Sequence, residues 1–321
     1  MWQHVRDAGL YARSSNLAIS KRIRSVDALS QLLATFRLKT DVINNAQYCG
    51  DWAIDTSGTG KASFHIVSHA DAYIRSDDLN GTVYLEKGDC VLFPRDSSHL
   101  LSNVAECSLA ANQETAVSYD QGLQEDGVGL ICGYFHFRQN SATALLDVLP
   151  DALIIQRKST NPSIATLMDL MVNESLRTTE GTVAVVDRLA EALFVIILKE
   201  HVEKSDTDSG LAAALRDQKI RKALTGMQAE PHARWSVDKL AALAAMSRSS
   251  FAARFKSLLG ESPMEYLTRW RMQVAYNLLD EEHLPVLEVA DRCGYDSEAA
   301  FAKAFKRVIG VGPGAVRQAA A

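Results

Sequence analysis

Near the C-terminus, apolar residues recur at i, i+3, i+4, i+7 twice over: Val237, Leu240, Ala241 and Ala244, then Val286, Val289, Ala290 and Cys293. That spacing lines one face of an α-helix. Each stretch is followed by a second helical segment with two phenylalanines four apart, Phe251 and Phe255 or Phe301 and Phe305. Leu259 or Ile309 completes the inward stripe. Ser236 and Ser247 stand where N-caps are expected, and Gly294 where a helix should stop. Between the pairs, Ser262-Pro263-Met264-Glu265 has the form of a capping box with proline in the first turn. It predicts a long helix through Tyr266, Leu267, Trp270, Val274, Ala275 and Leu278.

Upstream the pattern changes. From Thr40 to Phe137 short β-rich runs (62–67, 82–85, 90–93 and 129–137) are punctuated by glycine, asparagine and aspartate. They predict an antiparallel sandwich or small barrel. Val26 to Leu38 has helical periodicity. Between Ser163 and Lys204, Ile164, Leu167, Met168 and Met171 form one stripe, and Val185, Leu189, Leu193, Ile196 and Ile197 another. These stripes suit either a core or a contact between two subunits. Ser205 to Gly210 is polar and ends in glycine, as a linker does.

The C-terminal pattern is a repeat. Phe251, Phe255, Lys256, Gly260 and Pro263 return 50 residues later as Phe301, Phe305, Lys306, Gly310 and Pro313. Each copy reads as helix, tight turn, helix. Helical geometry places Ser249, Ala252, Ala253 and Lys256 opposite the phenylalanines of the first copy, and Ala299, Ala302, Lys303 and Lys306 opposite those of the second. Amphipathicity alone would equally fit two core helices with solvated backs. Small residues edged by cations, shown twice on a rigid frame, suit entry into two adjacent major grooves.

The run Ser247-Arg-Ser-Ser-Phe-Ala-Ala-Arg-Phe, with Gly260 to Met272 and Val289 to Glu298, closely resembles the AraC/XylS family of bacterial transcription regulators. By that resemblance Arg248, Ser249, Ala252 and Ala253 occupy the first base-reading helix, with Arg254 and Lys256 of the same helix as further DNA contacts. Glu298, Ala299, Ala302, Lys303 and Lys306 belong to the second. The alanines depart from the long polar readers of many family members, so contact with thymine methyls or shape readout gains weight. Double-stranded promoter DNA and RNA polymerase are the implied partners, and activation the implied role. Arg254, Lys256, Arg269, Arg271, Lys303, Lys306 and Arg307 are the expected phosphate neutralisers.

Gly88, Pro94, His99 and Asn103 resemble the second motif of cupins, with Asp96 in place of its middle glycine. The first motif is poor, since Phe64-His65-Ile66-Val67 offers one histidine and no glutamate. The wider pattern looks like the cupin-type sensor domain of one AraC subgroup, which implies a small-molecule, metal or oxidant effector. Cys49, His65, His99 and Cys132 lie in or beside predicted strands, and two thiolates with two imidazoles would make a tetrahedral zinc site. They suit equally a set of buried cysteines and hydrogen-bonded histidines, or a redox-sensing thiol at Cys49, Cys90 or Cys132. Cys107 and Cys293 read as structural.

The expected architecture is α+β: a cupin-like antiparallel β-barrel with a helical dimerisation segment, then an all-α double helix-turn-helix. Its parts are an N-terminal extension (1–25), the sensor domain (26–155), the helical segment (156–204), a linker (205–213) and the DNA-binding domain (214–321). The chain of 321 residues is 47% hydrophobic, which excludes a disordered protein. Its net charge of −5 divides unevenly. From Arg216 onward 16 Lys and Arg face 12 Asp and Glu, a balance of +4 that leaves −9 for the rest. A basic module on an acidic body concentrates phosphate attraction at one end.

The chain has no run of eighteen apolar residues, and its first 25 lack the apolar core of a secretory leader. A cytoplasmic location with no membrane partner is therefore expected. The reading is a non-enzymatic regulator, as a homodimer if the stripes pair. Its rival is a cupin-type metal-dependent enzyme with a helical appendage, which needs a metal triad that the first motif does not supply. A non-specific DNA-coating protein is the second rival.

Overall fold

The computed structural model describes residues 27–106, 116–117, 127–137, 143–177 and 179–319. The expected N-terminal extension and Cys107 lie outside them. The chain divides into two compact units, one of residues 36–213 and one that joins the segment ending at Thr35 to residues 214–321. Among the described residues no helix is long and apolar enough to cross a membrane.

The first unit is built on two antiparallel sheets. One has the order β10 (Leu153–Ile155), β6 (Cys90–Phe93), β3 (Ala62–His69), β9 (Val128–His136), β1 (Lys39–Tyr48), β8 (Ala116–Val117). The other runs β2 (Ala53–Asp55), β7 (Leu100–Ser102), β4 (Ala72–Ser76), β5 (Gly81–Leu85). Val67, Val91, Phe93, Leu130 and Cys132 from the first sheet and Ala72, Ile74, Leu85 and Leu101 from the second close one apolar core. This is the two-sheet solution by which cupins bury their strands. The runs read as β-rich all form strands. The polar run of β1 was not legible as one, yet it is the central partner of β9, from Lys39↔His136 to Tyr48↔Val128 with an irregularity between Val42 and Asn44. Gly133 permits that close packing, because a Cβ there would stand 2.6 Å from the Phe64 ring.

Two helices cover the larger sheet, α3 (Pro162–Ser175) and α4 (Thr182–Lys204). For brevity the helices are numbered from α1 (Ala28–Phe36) and α2 (Thr143–Leu146). Ile164, Met168, Met171, Leu193 and Ile197 are buried within the unit, and Phe194 packs on Phe135 of β9 with ring centroids 4.7 Å apart. The buried members of both stripes therefore serve the unit's own core, while Val185 of the second stays exposed. Leu170, Val183 and Val185 are large apolar side chains of these helices that remain exposed.

The linker expectation is corrected at its C-terminal half. Polar Ser205 to Ser209 carries no regular structure, but Gly210 opens α5 (Gly210–Arg216), and Leu211 to Leu215 are buried. The alanine and leucine run favours helix once the glycine has turned the chain.

The second unit is helical: α6 (Gln218–Ala229), α7 (Val237–Leu243), α8 (Arg248–Leu259), α9 (Pro263–Asp280), α10 (Val286–Arg292), α11 (Glu298–Ile309) and α12 (Pro313–Ala319). α9 begins with the expected capping box: the Glu265 N–H donates to Ser262 Oγ, and the Ser262 N–H to Glu265 Oε2. α1 belongs to this unit up to Thr35, whose carbonyl accepts from Asn277 Nδ2 at 2.8 Å. The sequence boundary at residue 26 had placed it with the strands.

Candidate nucleic-acid interface

α7 and α8 form one helix-turn-helix, α10 and α11 the other. Buried phenylalanines hold each second helix in place, Phe251 against Phe255 and Phe301 against Phe305. Leu258 rather than Leu259 is the buried member of the first stripe. Ser247 accepts from the Ser250 N–H and Ser297 from the Ala300 N–H, so both second helices start from a serine cap. The copies differ in their turns. Ala245, at φ 51°, carries the left-handed residue of the first, and Gly294, at φ 74°, that of the second. The backbone bond from Met246 N–H to the Ala241 carbonyl recurs as Tyr295 N–H to Ala290, a step of 49, whereas the second helices are 50 apart. The second turn is therefore one residue longer.

On α8 Arg248, Ser249, Ala253, Arg254 and Lys256 are exposed and Ala252 is half-buried, with Ser249, Ala253 and Lys256 turned away from the phenylalanines. On α11 Glu298, Ala299, Lys303 and Lys306 are exposed, and Ala302 is half-buried. Both faces thus present short side chains flanked by cations. Ser249 and Lys303 stand on equivalent outer faces of the two copies.

The cations are not equally available. Arg254 Nε donates to Asp217 Oδ2 at 2.5 Å, and Arg269 pairs with Glu261 at 2.5 Å. Arg248 lies 3.3 Å from Asp238, with both side chains well exposed, where such a pair contributes little. Arg271 departs from its expected role. Its half-buried guanidinium donates to the carbonyls of Pro231 at 2.6 Å and Ala233 at 2.9 Å and lies over the Tyr295 ring. Burial lowers its pKa from the ordinary value. It ties the loop before the first helix-turn-helix to the turn of the second, a role with no sequence signal beyond a basic residue amid apolar ones.

In the first unit the four expected metal ligands are not brought together, and among the described residues no three His, Cys, Asp or Glu side chains converge as a metal site. Cys132 lies opposite His65 in the β3–β9 register. Cys49 follows the end of β1, five residues beyond Asn44, the partner of Cys132. At about 3.3 Å per residue that is roughly 16 Å along the strand. Cys49, His65, His99 and Cys132 therefore do not converge into the expected tetrahedral site. Burial pushes the Cys132 thiol up to about 12 and the Cys90 thiol higher still, so neither is a ready thiolate for redox sensing. Cys293 is buried in the second unit's core, as expected of a structural cysteine.

His65 and His99 do meet. Both are buried, with Nε2 atoms 3.0 Å apart and Thr56 Oγ1 at 3.2 Å from the first and 2.8 Å from the second. His99 Nδ1 lies 2.7 Å from the Ser97 carbonyl, which can only accept, so the proton of a neutral His99 sits on Nδ1. His99 Nε2 is then an acceptor, within reach of both the Thr56 hydroxyl and His65 Nε2. Phe93 stacks on His99 at 4.0 Å. Burial lowers the pKa of both rings, that of His65 strongly and with a contribution from His99. Nothing in the sequence around Thr56 marked it as the third member.

A family model described as cupin matches residues 27–203, and one described as helix-turn-helix domain matches 240–319. An AraC-like transcription regulator of Streptomyces antibioticus is 30% identical over 299 residues, 91% of this chain and 99% of that protein. The transcriptional regulator AlkR of Acinetobacter baylyi is 29% identical over 91% of this chain and 99% of its own length. The RCS-specific transcriptional activator RclR of Escherichia coli is 28% identical over 91% and 98%. Among solved structures, the DNA-binding domain of AdpA in complex with a target DNA is 37% identical. It covers 32% of this chain and 90% of its own, with a TM-score of 0.30.

Proposed function

The chain belongs to the AraC-like transcription regulators, with a cupin domain before its helix-turn-helix domain, and from that premise we propose that it is a site-selective, non-enzymatic activator of transcription in the cytoplasm. The observation that carries this reading is the pair of outward faces on α8 and α11. Each offers short side chains at its centre and cations at its edge, on a frame locked by buried phenylalanines. Short side chains let the backbone approach base edges, where Lys303 stands to read, while Lys256, Lys306 and Arg307 meet phosphates. The two-sheet unit is the sensor, and RNA polymerase the downstream partner. Two copies pair through the exposed apolar residues of α3 and α4. An enzymatic cupin would need three ligands at one point; here His65 and His99 converge with a threonine hydroxyl.

The test is competition binding at fixed salt between a genomic fragment selected by the protein and random duplex of equal length. A preference of about a thousandfold or more is expected of a regulator. Equal affinity for the two duplexes would leave a DNA-coating protein as the better description.

A further inference from the structure

Each helix-turn-helix packs on its own half of α9. Near the start of that helix the Tyr266 ring meets Phe255 of α8 with centroids 5.8 Å apart, and its hydroxyl accepts from Gln228 of α6 at 2.6 Å. Farther along, Met272, Ala275 and Leu279 share a core with Val289 of α10 and with Phe301 and Phe305 of α11. A second connection bypasses both cores. The loop 230–235, which runs straight into the Ser236 cap of α7, lies against the turn between α10 and α11. Gly294 permits that approach, because a Cβ there would stand 2.5 Å from the His232 carbonyl oxygen and 2.9 Å from the Arg271 guanidinium. From the middle of α9, Arg271 donates to the loop carbonyls of Pro231 and Ala233 and faces the Tyr295 ring. Tyr295 in turn meets Phe301 of α11 edge-on, with centroids 5.6 Å apart. Arg234 adds a pair to Asp296 at 3.0 Å, but both side chains are nearly fully exposed, where such a pair contributes little. A cavity of about 460 Å³ opens beside the joint, bordered by His232, Arg234, Arg292 and Tyr295. The contacts of Arg271 are thus the buried link between the loop that leads into the first helix-turn-helix and the turn of the second.

We propose that Arg271 is a positioning residue that fixes the spacing between the two DNA-facing helices, and so the separation of the two half-sites that one chain accepts. The inference rests on the regulator reading given above and deepens it, since it names the geometry of the site selected. α8 and α11 must reach their segments of groove together. One inserted base pair moves a half-site by about 3.4 Å and turns it by about 35° around the duplex. A joint that yields follows this displacement; a joint held on two carbonyls and an aromatic face does not, and one set of contacts is lost. Arginine suits the task because its planar fork reaches two acceptors while its face lies on a ring. Lysine keeps the charge and loses that geometry.

The test uses the full chain and a duplex selected by it, with one base pair inserted or removed between the segments read by α8 and α11. The wild type should lose at least tenfold in affinity on either change. Arg271→Lys should lose less than threefold, while single-base substitutions within either half-site cost it the same factor as the wild type. Gly294→Ala disturbs the same joint from the opposite side, should relax the spacing likewise, and carries the test if Arg271→Lys folds poorly. Glu265→Ala removes the capping box of α9 and leaves the joint alone, so it reports what lowered stability does by itself; it should keep the tenfold penalty. A wild type indifferent to spacing, a penalty retained in both joint variants, or one equally relaxed in Glu265→Ala overturns the assignment. Amide hydrogen exchange without DNA gives a separate reading: residues 232–235 and 294–297 should exchange at least tenfold faster in Arg271→Lys, and unchanged exchange overturns the clamp. Failure of the wild type to prefer its selected duplex over random sequence overturns the regulator reading instead, and the exchange result then decides the clamp alone.

Discussion

Arg254 holds Oδ2 of Asp217, the residue whose Oδ1 accepts from the Lys219 and Ile220 N–H groups at 2.9 Å and so caps α6. One carboxylate thereby fixes the start of α6 and the flank of α8. Burial pushes its pKa up, but the hydrogen bonds from Ile220, Arg254 and Lys219 outweigh that and leave it lowered. Asp217→Ala should cost about 0.5–2 kcal/mol of stability in the second unit, the range for a lost N-cap. Asp217→Asn should retain most of it. Thermal unfolding of the two variants side by side measures the difference.

Because Arg254 is engaged, it should matter less to phosphate binding than the lysines. Lys306→Ala should lower the slope of log affinity against log salt by about 0.9, the change for one phosphate contact. Arg254→Ala should leave that slope nearly unchanged. Equal changes in the two would place Arg254 on the phosphates after all.

Lys303 stands on the outer face of α11, beside Ala299 and Ala302. Lys303→Ala should weaken binding by about 1–3 kcal/mol if it reads a base, and relax selection at one half of the site only. Selection from a randomised duplex library reads this directly; unchanged affinity and preference would remove that helix from the groove.

The turn residues offer a stability test free of DNA. At Gly294, φ is positive and a Cβ would stand 2.5 Å from the His232 carbonyl oxygen. Gly294→Ala should therefore destabilise by more than about 1 kcal/mol. Ala245→Gly, at a left-handed position that an alanine occupies at a cost, should be neutral or stabilising by up to about 1 kcal/mol. Chemical denaturation of both variants settles the signs.

The His65–Thr56–His99 unit predicts an acid-sensitive first unit. Both pKa values are lowered by burial, His65 the more so, while Asp55 and Asp96 partly offset the effect at His99. The unfolded chain takes up protons as pH falls through about 6.5, and the folded pair does not. Stability is thus full above that pH and is lost as pH drops below it, with a slope of at most about 1.4 kcal/mol per pH unit for each proton. Hydrogen exchange of the β3 and β9 amides, corrected for its intrinsic pH dependence, should show the decline. His65→Gln should flatten it.

Local rules made the second unit readable. Phe251, Phe255, Phe301 and Phe305 lie on helices started by Ser247 and Ser297, and capping and 3.6-residue periodicity act within a few residues, so the sequence by itself determined the tandem and its outward faces. It determined as well the apolar runs of β3, β5, β6 and β9, but not the polar β1 that pairs with β9. Only the tertiary structure decided partners drawn from distant positions. It set Arg271 on the carbonyls of Pro231 and Ala233, brought His65, His99 and Thr56 together, and left Cys49 beyond the end of β1, five residues past the partner of Cys132. Strand register decides which side chains meet across a sheet, and it depends on pairing between segments far apart in the chain. Burial then decides which of them keep a charge.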